Sequence, residues 1–296
     1  MLLYKKGLSN SLKLNEQNYF CFANNTTYKL GGKAKVAYFP QNICQAINAF
    51  EECKLKGLKT FVIGNGSNVL ASDKGFDGAV ISTKFLRGIV RLKNNRLFCL
   101  AGTHISTLLN YCRRHGLGGV EYLVKIPATV GGAAYMNAGA AGKYLGGNIE
   151  KVLIYTDKKC YFSQNQCNFT YKHSTMRDIN CLILAVVIKL EPKSTEQIEE
   201  NLSYYANLRK HLPHGKSCGC VFKNGEGYFA GELIDKAGLK GIKCGSAYVS
   251  NIHANFIISD GNCASDVKEL IELVKYVVKL KFGVQLSEEV VYIGDF

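Results

Sequence analysis

The sequence predicts an α+β fold, and three observations lead there. Short β-type runs cluster with helices between them but without strict β-α alternation. Apolar residues at helical spacing recur in separate segments. The longest is 264–282, with Val267, Leu270, Ile271, Val274, Val277 and Val278 on one face. Finally, the apolar run Phe61 to Ile63 stops at Gly64-Asn65-Gly66-Ser67-Asn68 and leads into a turn-rich stretch and another β run. A Rossmann site needs a helix there, and its third glycine position is occupied here by Val69, so that fold is rejected.

In order, a β region at 27–39 is broken by Gly31-Gly32. Residues 42–56 carry Ile43, Ala46, Ile47 and Phe50 at helical spacing, and Gly57 stops them. Strands are expected at 60–63 and 79–82, and residues 88–101 alternate in β fashion. A helix at 105–115 puts Leu108, Leu109 and Cys112 on one face. Strands follow at 152–155 and 181–190. Glu191-Pro192-Lys193-Ser194 reads as a linker, which divides the chain into units 1–192 and 193–296. Beyond it come a charged helix at 195–211, a loop at 212–219, a helix at 230–237, a strand at 254–259, the helix at 264–282 and a last strand at 289–293.

With 296 residues, 47% of them hydrophobic and 20% charged, the chain can bury a core and is not disordered. A net charge of +14 suits an anionic partner. The basic residues are dispersed and no aromatic-plus-basic stripe accompanies them, so no nucleic-acid partner is expected. No secretory signal is visible, and the best apolar run, 182–188, is too short to span a bilayer. A cytoplasmic protein without a membrane partner is expected. Its 12 cysteines would mostly be free thiols, and their spacing lacks the paired pattern of a zinc site, so no metal is expected. No obligatory protein partner is legible.

Two glycine-rich segments are candidate binding loops. In the first, Gly64 and Gly66 let a ligand approach the backbone, and successive amides can face one anion. It is either a phosphate loop between strands or a plain tight turn. The second runs from Ile126 through Pro127, Thr129, Gly131, Gly132 and Asn137 to Gly139 and Ala140. Its small residues leave room for a flat ring or a diphosphate, or simply for close-packed backbone.

Separated segments together resemble the UDP-N-acetylenolpyruvoylglucosamine reductase (MurB) family. They are Val62 to Leu70, Ile126 to Ala133, Met136 to Ala140, Tyr171-Lys172-His173-Ser174, Gly219 to Asn224, Ala230 to Gly241, His253 to Ile257 and Glu289 to Gly294. They occur in family order across nearly the whole chain. The resemblance implies an FAD-binding domain of the PCMH type followed by a smaller MurB-type substrate domain. It also implies the shorter subfamily, which lacks a tyrosine-bearing insertion. FAD would be held by Ile63, Gly64, Asn65, Gly66, Ser67, Asn68, Val69, Pro127, Thr129, Gly131, Gly132, Asn137, Gly139 and Ala140. NADPH would reduce the flavin, which would reduce the enolpyruvyl group of a UDP-sugar in peptidoglycan precursor synthesis.

Hydride addition to an enol ether builds negative charge beside a carboxylate, so the site needs a cation or acid and a proton donor. The family's proton donor is usually serine; the matching residue here is Cys220. Glu289 matches the C-terminal acidic residue, with Glu288 as its rival. Lys172 stands where arginine is usual and supplies charge without a bidentate fork; Arg177 is an alternative cation. Tyr171, Lys216, Lys223 and Asn224 are candidate substrate contacts. Competing readings are an FAD oxidase of a small alcohol or hydroxy acid on the same fold, and a basic nucleic-acid-binding protein.

Overall fold

The computed structural model describes residues 16–17 and 19–296. Short strands Glu16–Gln17 and Phe20–Cys21 both pair with β1 (Lys33–Tyr38). Helix α1 (Ile43–Leu55) is capped by Asn42, whose Oδ1 accepts from the Gln45 amide at 2.9 Å. Next are β2 (Thr60–Ile63), β3 (Val69–Ala71) and β4 (Phe76–Ser82). β4 lies between β1 and β2 and is parallel to both. The carboxyl ends of β2 and β4 therefore reach the same sheet edge, where the first glycine loop begins. A strand, not a helix, follows that loop.

The alternating stretch 88–101 is a hairpin of β5 (Ile89–Leu92) and β6 (Arg96–Leu100). It turns at Asn94 and Asn95, whose φ values of 57° and 54° are ones asparagine tolerates. Helices α2 (Ile105–Arg114) and α3 (Val130–Tyr135) follow. Then come β7 (Ile149–Tyr155), β8 (Lys159–Ser163) and β9 (Leu182–Lys189). They complete an antiparallel sheet ordered β8-β7-β9-β6-β5. β9 is central and buried up to Ile188, which explains its unbroken apolar run.

The expected linker is partly structured. Glu191–Pro192 pairs antiparallel with Leu117–Gly118. Helix α4 (Thr195–Leu208) starts with a capping box between Ser194 and Gln197. It ends three residues before the expected stop, and its Leu202 and Tyr205 pack against the first core, which also holds β7, β9 and α2.

Helix α5 (Ala230–Lys236), β10 (Ala247–Val249), β11 (Ile257–Ser259) and α6 (Ala264–Phe282) build the second core; β12 (Val291–Ile293) packs Tyr292 against it and puts Ile293 in a third cluster with Ile63 and Val69. β11 starts later than the sequence suggests because the Phe256 amide closes a turn on the His253 carbonyl at 3.0 Å. α6 buries Val267, Leu270, Ile271, Val274 and Val278, while Val277 is only half-buried. Tyr28, Leu30 and Leu70 from the first third of the chain also enter this core. β12 begins at Val291 rather than 289 and pairs parallel with β3, Val291 opposite Val69. The chain end thus returns to the strand that leaves the glycine loop. Among the described residues no helix is long and apolar enough to cross a membrane.

Candidate active site

One cleft of about 1520 Å³ is lined by both glycine segments, the stretch around Cys220 and the returning chain end. Ile63, Gly64, Asn65, Gly66, Ser67, Asn68 and Val69 all face it. Gly66 has φ 64°, and a Cβ on Gly64 would stand 2.3 Å from Thr129 Oγ1, so both glycines are required by the backbone path. Among the described residues, the amides of Asn65, Gly66, Ser67 and Asn68 donate to no protein acceptor. Four adjacent free donors form a concavity suited to an anion.

The second segment is partly helical. Thr129 accepts from the Gly132 amide at 3.3 Å and starts α3. The amides of Val130, Gly131 and Ala133 are also satisfied within the protein. Pro127, Thr129, Gly131, Gly132, Gly139 and Ala140 line the cleft as a smooth wall rather than as donors. Asn137 does not line it. With φ 44°, it donates to the Thr170 carbonyl at 2.7 Å and accepts from the Gly146 amide at 2.8 Å. Its side chain braces the loop behind the wall.

Across the cleft, Lys172 Nζ pairs with Glu289 Oε1 at 2.8 Å, their side chains 18% and 11% exposed. Burial acts to lower the Lys172 pKa, but the Glu289 carboxylate outweighs it and the net shift is upward. Lys172 therefore stays cationic. Glu288 points elsewhere, its carboxylate 2.7 Å from Lys275. Of the two rivals, Glu289 faces the cleft. Arg177 does not stand in for the usual arginine: it donates to the Lys172 carbonyl at 2.6 Å and lies over the Tyr135 ring.

Cys220 is half-buried beside this pair. Burial and the Glu289 charge push its thiol up to about 11, against the opposing pull of Lys172 and Arg209. It is a thiol, not a thiolate, at neutral pH. Its segment is fixed by Asn255: the Phe222 amide donates to Asn255 Oδ1, and Asn255 Nδ2 donates to the Phe222 carbonyl, both at 2.8 Å. Cys218 is buried and borders the same cleft.

Tyr171 and Asn224 line the cleft and meet each other, the Asn224 amide donating to the Tyr171 hydroxyl at 3.2 Å. Asn224 Oδ1 also accepts from Ala230 at the start of α5. Lys216 is directed away and donates to the Gly261 carbonyl at 3.2 Å. Lys223 is not on the lining; burial and nearby Arg177 lower its pKa. Two further residues carry weight at the site. Arg209, just past α4, lines the cleft, and its Nε is buried without a partner among the described residues. Asn255 had no assigned role, and an asparagine inside an apolar run gives no sign of which backbone it will meet.

The family model for the C-terminal domain of UDP-N-acetylenolpyruvoylglucosamine reductase matches residues 210–293, and an FAD binding domain model matches 34–157. A UDP-N-acetylenolpyruvoylglucosamine reductase of Caldicellulosiruptor saccharolyticus is 37% identical over 92% of this chain and 89% of its own. The chain belongs to the UDP-N-acetylenolpyruvoylglucosamine reductase family. A Borreliella burgdorferi member is 35% identical, with 92% of each chain covered. The crystal structure of the Thermus caldophilus reductase superposes with a TM-score of 0.83 at 31% identity, covering 95% of this chain and all of that one. The family assignment carries the α+β architecture, with an FAD binding domain followed by the reductase's C-terminal domain.

Proposed function

We infer that this protein is an FAD-containing reductase that converts UDP-N-acetyl-enolpyruvoylglucosamine to UDP-N-acetylmuramate in peptidoglycan precursor synthesis. The observation that carries the reading is the meeting of Cys220, Glu289 and Lys172 in the same cleft as the glycine loop. FAD fits the cradle. The free amides of Asn65, Gly66, Ser67 and Asn68 match a pyrophosphate, and the smooth wall around Gly131 and Gly132 accepts a flat ring. Bound FAD supplies the hydride, taken from NADPH.

The chain's own residues do the rest. Lys172 faces the substrate carboxylate and offsets the charge that grows beside it. Cys220 Sγ holds the proton that the carbon acquires, and its raised pKa keeps that proton in place between turnovers. Glu289 orients Lys172 through their ion pair. Arg209, with an unused buried donor, is a ligand for the substrate's anionic end. The substrate's diphosphate would not meet Lys216, which is directed away. A protein working on a nucleotide-linked precursor of this kind acts in the cytoplasm.

The test is a visible spectrum of purified protein under anaerobic NADPH, followed by the UDP-enolpyruvyl sugar. Bleaching and then recovery of the flavin band is expected. Bleaching without recovery would leave the substrate assignment wrong.

A further inference from the structure

The first glycine loop does more than border the flavin site. Asn68, its last residue, carries three contacts that join separate parts of the fold. Its Nδ2 donates to the Glu289 carbonyl at 2.9 Å. The same amide reaches Met136 Sδ at 3.6 Å, in the second glycine segment. Its own carbonyl accepts from the Val291 amide at 3.0 Å, where β12 joins β3.

From the other side, Glu289 donates its amide to the Val221 carbonyl at 2.7 Å, and the Lys223 amide donates to the Ser287 carbonyl at 2.8 Å. Glu289 is thus suspended between the segment that carries Cys220 and the loop that carries the free amides. β12 begins only at Val291, so the sheet does not hold Glu289 itself. Asn68 closes that gap.

We propose that Asn68 is a positioning residue for Glu289, setting its carboxylate in register with both the flavin loop and Cys220. This rests on the reductase reading above. An amide is suited to the task because its two N–H groups can serve two acceptors at once while its backbone serves a third strand. Asn68 lies outside the left-handed region, so replacement does not strain the turn.

The experiment uses the FAD-loaded protein and three variants: Asn68→Ala, Asn68→Asp and Asn68→Ala combined with Glu289→Gln. Reductive and oxidative half-reactions are followed separately by stopped flow across pH. Displacement of a catalytic group by about 1 Å can cost about a hundredfold. Asn68→Ala and Asn68→Asp are expected to slow flavin reoxidation by the UDP-enolpyruvyl sugar at least about tenfold more than flavin reduction. They should also displace the pH profile of reoxidation. In the Glu289→Gln background, Asn68→Ala should cost little more, because the residue it positions is already disabled.

Hydrogen exchange supplies a readout independent of turnover. In flavin-free protein, peptides spanning 287–293 should exchange faster in Asn68→Ala, while β1 and β4 stay unchanged. Equal slowing of both half-reactions, or full additivity with Glu289→Gln, would overturn the proposal and leave Asn68 as a flavin-loop residue only. If the parent protein itself fails to reoxidise with the UDP-sugar, the reductase reading falls. The exchange result then still decides whether Asn68 holds the Glu289 segment.

Discussion

Lys172 Nζ lies 2.8 Å from Glu289 Oε1, and the backbone of that lysine is held at φ 55°. Its backbone is thus kept in a left-handed conformation, with its carbonyl taken by Arg177, and the ion pair to Glu289 holds the side chain in the cleft. Lys172 is therefore the cation we propose for the substrate carboxylate, although it lacks the planar fork of the usual arginine.

Removing that cation strands a largely buried carboxylate. Lys172→Ala is expected to cost about 3 kcal/mol of stability, the scale for breaking a buried pair. It should slow flavin reoxidation about a hundredfold, the scale for losing one charge-stabilising group. Lys172→Arg keeps the charge and adds a planar bidentate fork, so it should hold or raise the reoxidation rate and tighten substrate binding. Urea unfolding and stopped-flow reoxidation check both. A Lys172→Ala protein with unchanged reoxidation would remove Lys172 from the mechanism.

The thiol of Cys220 makes a prediction about pH. Its pKa is raised to about 11, so the competent protonated form persists through the neutral range. Activity that depends on that form is lost only as pH climbs through about 11. No thiol limb should appear in the reoxidation profile between pH 6 and 9. Cys220→Ala should permit flavin reduction by NADPH and block turnover of the enolpyruvyl substrate. At pH 8 only about one Cys220 in a thousand is a thiolate, so exposed Cys44 should take iodoacetamide first. Peptide mapping of the alkylated protein reads this order. A Cys220 labelled as fast as Cys44 would show that the site lowers its pKa instead.

Period and punctuation made the helices legible: α6 occupies the span that its apolar face and Gly283 mark out. The first glycine loop was legible because two glycines and a strand end are local features. The orientations of individual polar side chains were not. Asn137, Lys216 and Lys223 sit in segments that match the family, yet their directions depend on partners far along the chain: Thr170 for Asn137, Gly261 for Lys216 and Ser287 for the Lys223 backbone. The linker also misled, because the partner of Glu191–Pro192 is at Leu117–Gly118, and no local pattern announces a two-residue ladder. Glu288 and Glu289 could be separated only by seeing which lysine each one meets.

The glycine loop itself can be tested without substrate. Gly64→Ala drives a Cβ to 2.3 Å from Thr129 Oγ1, which also caps α3. Gly66→Ala meets Thr26 at 2.9 Å and strains a φ of 64°. Both variants should purify with little flavin, measured by the absorbance ratio of flavin to protein. Gly57→Ala is the control. It has φ 61° but open space around it, so it should lose roughly 1 kcal/mol while keeping its flavin. Flavin loss in the control as well would point to general destabilisation rather than to the cradle.

Asp73 joins the two halves of the molecule and offers a test of how they are held. It follows β3, yet its carboxylate caps α6 in the second core. It accepts from the Ala264 amide at 2.9 Å, from the Ser265 amide at 3.0 Å and from the Ser265 hydroxyl at 3.2 Å. A charged cap at a helix start satisfies orphan amides and favours the helix dipole together. Asp73→Ala should therefore cost about 1 to 2 kcal/mol. In a chain of this size that lowers the melting temperature by a few degrees, about 3 °C. Asp73→Asn keeps an acceptor but loses the charge, so it should fall between the two. The carboxylate does not line the cleft, so flavin content and reduction by NADPH should be unchanged. Calorimetry of the three proteins makes the comparison. An unchanged melting temperature would mean that the second core, with Tyr28, Leu30 and Leu70 already inserted in it, is held by packing alone and the cap is dispensable.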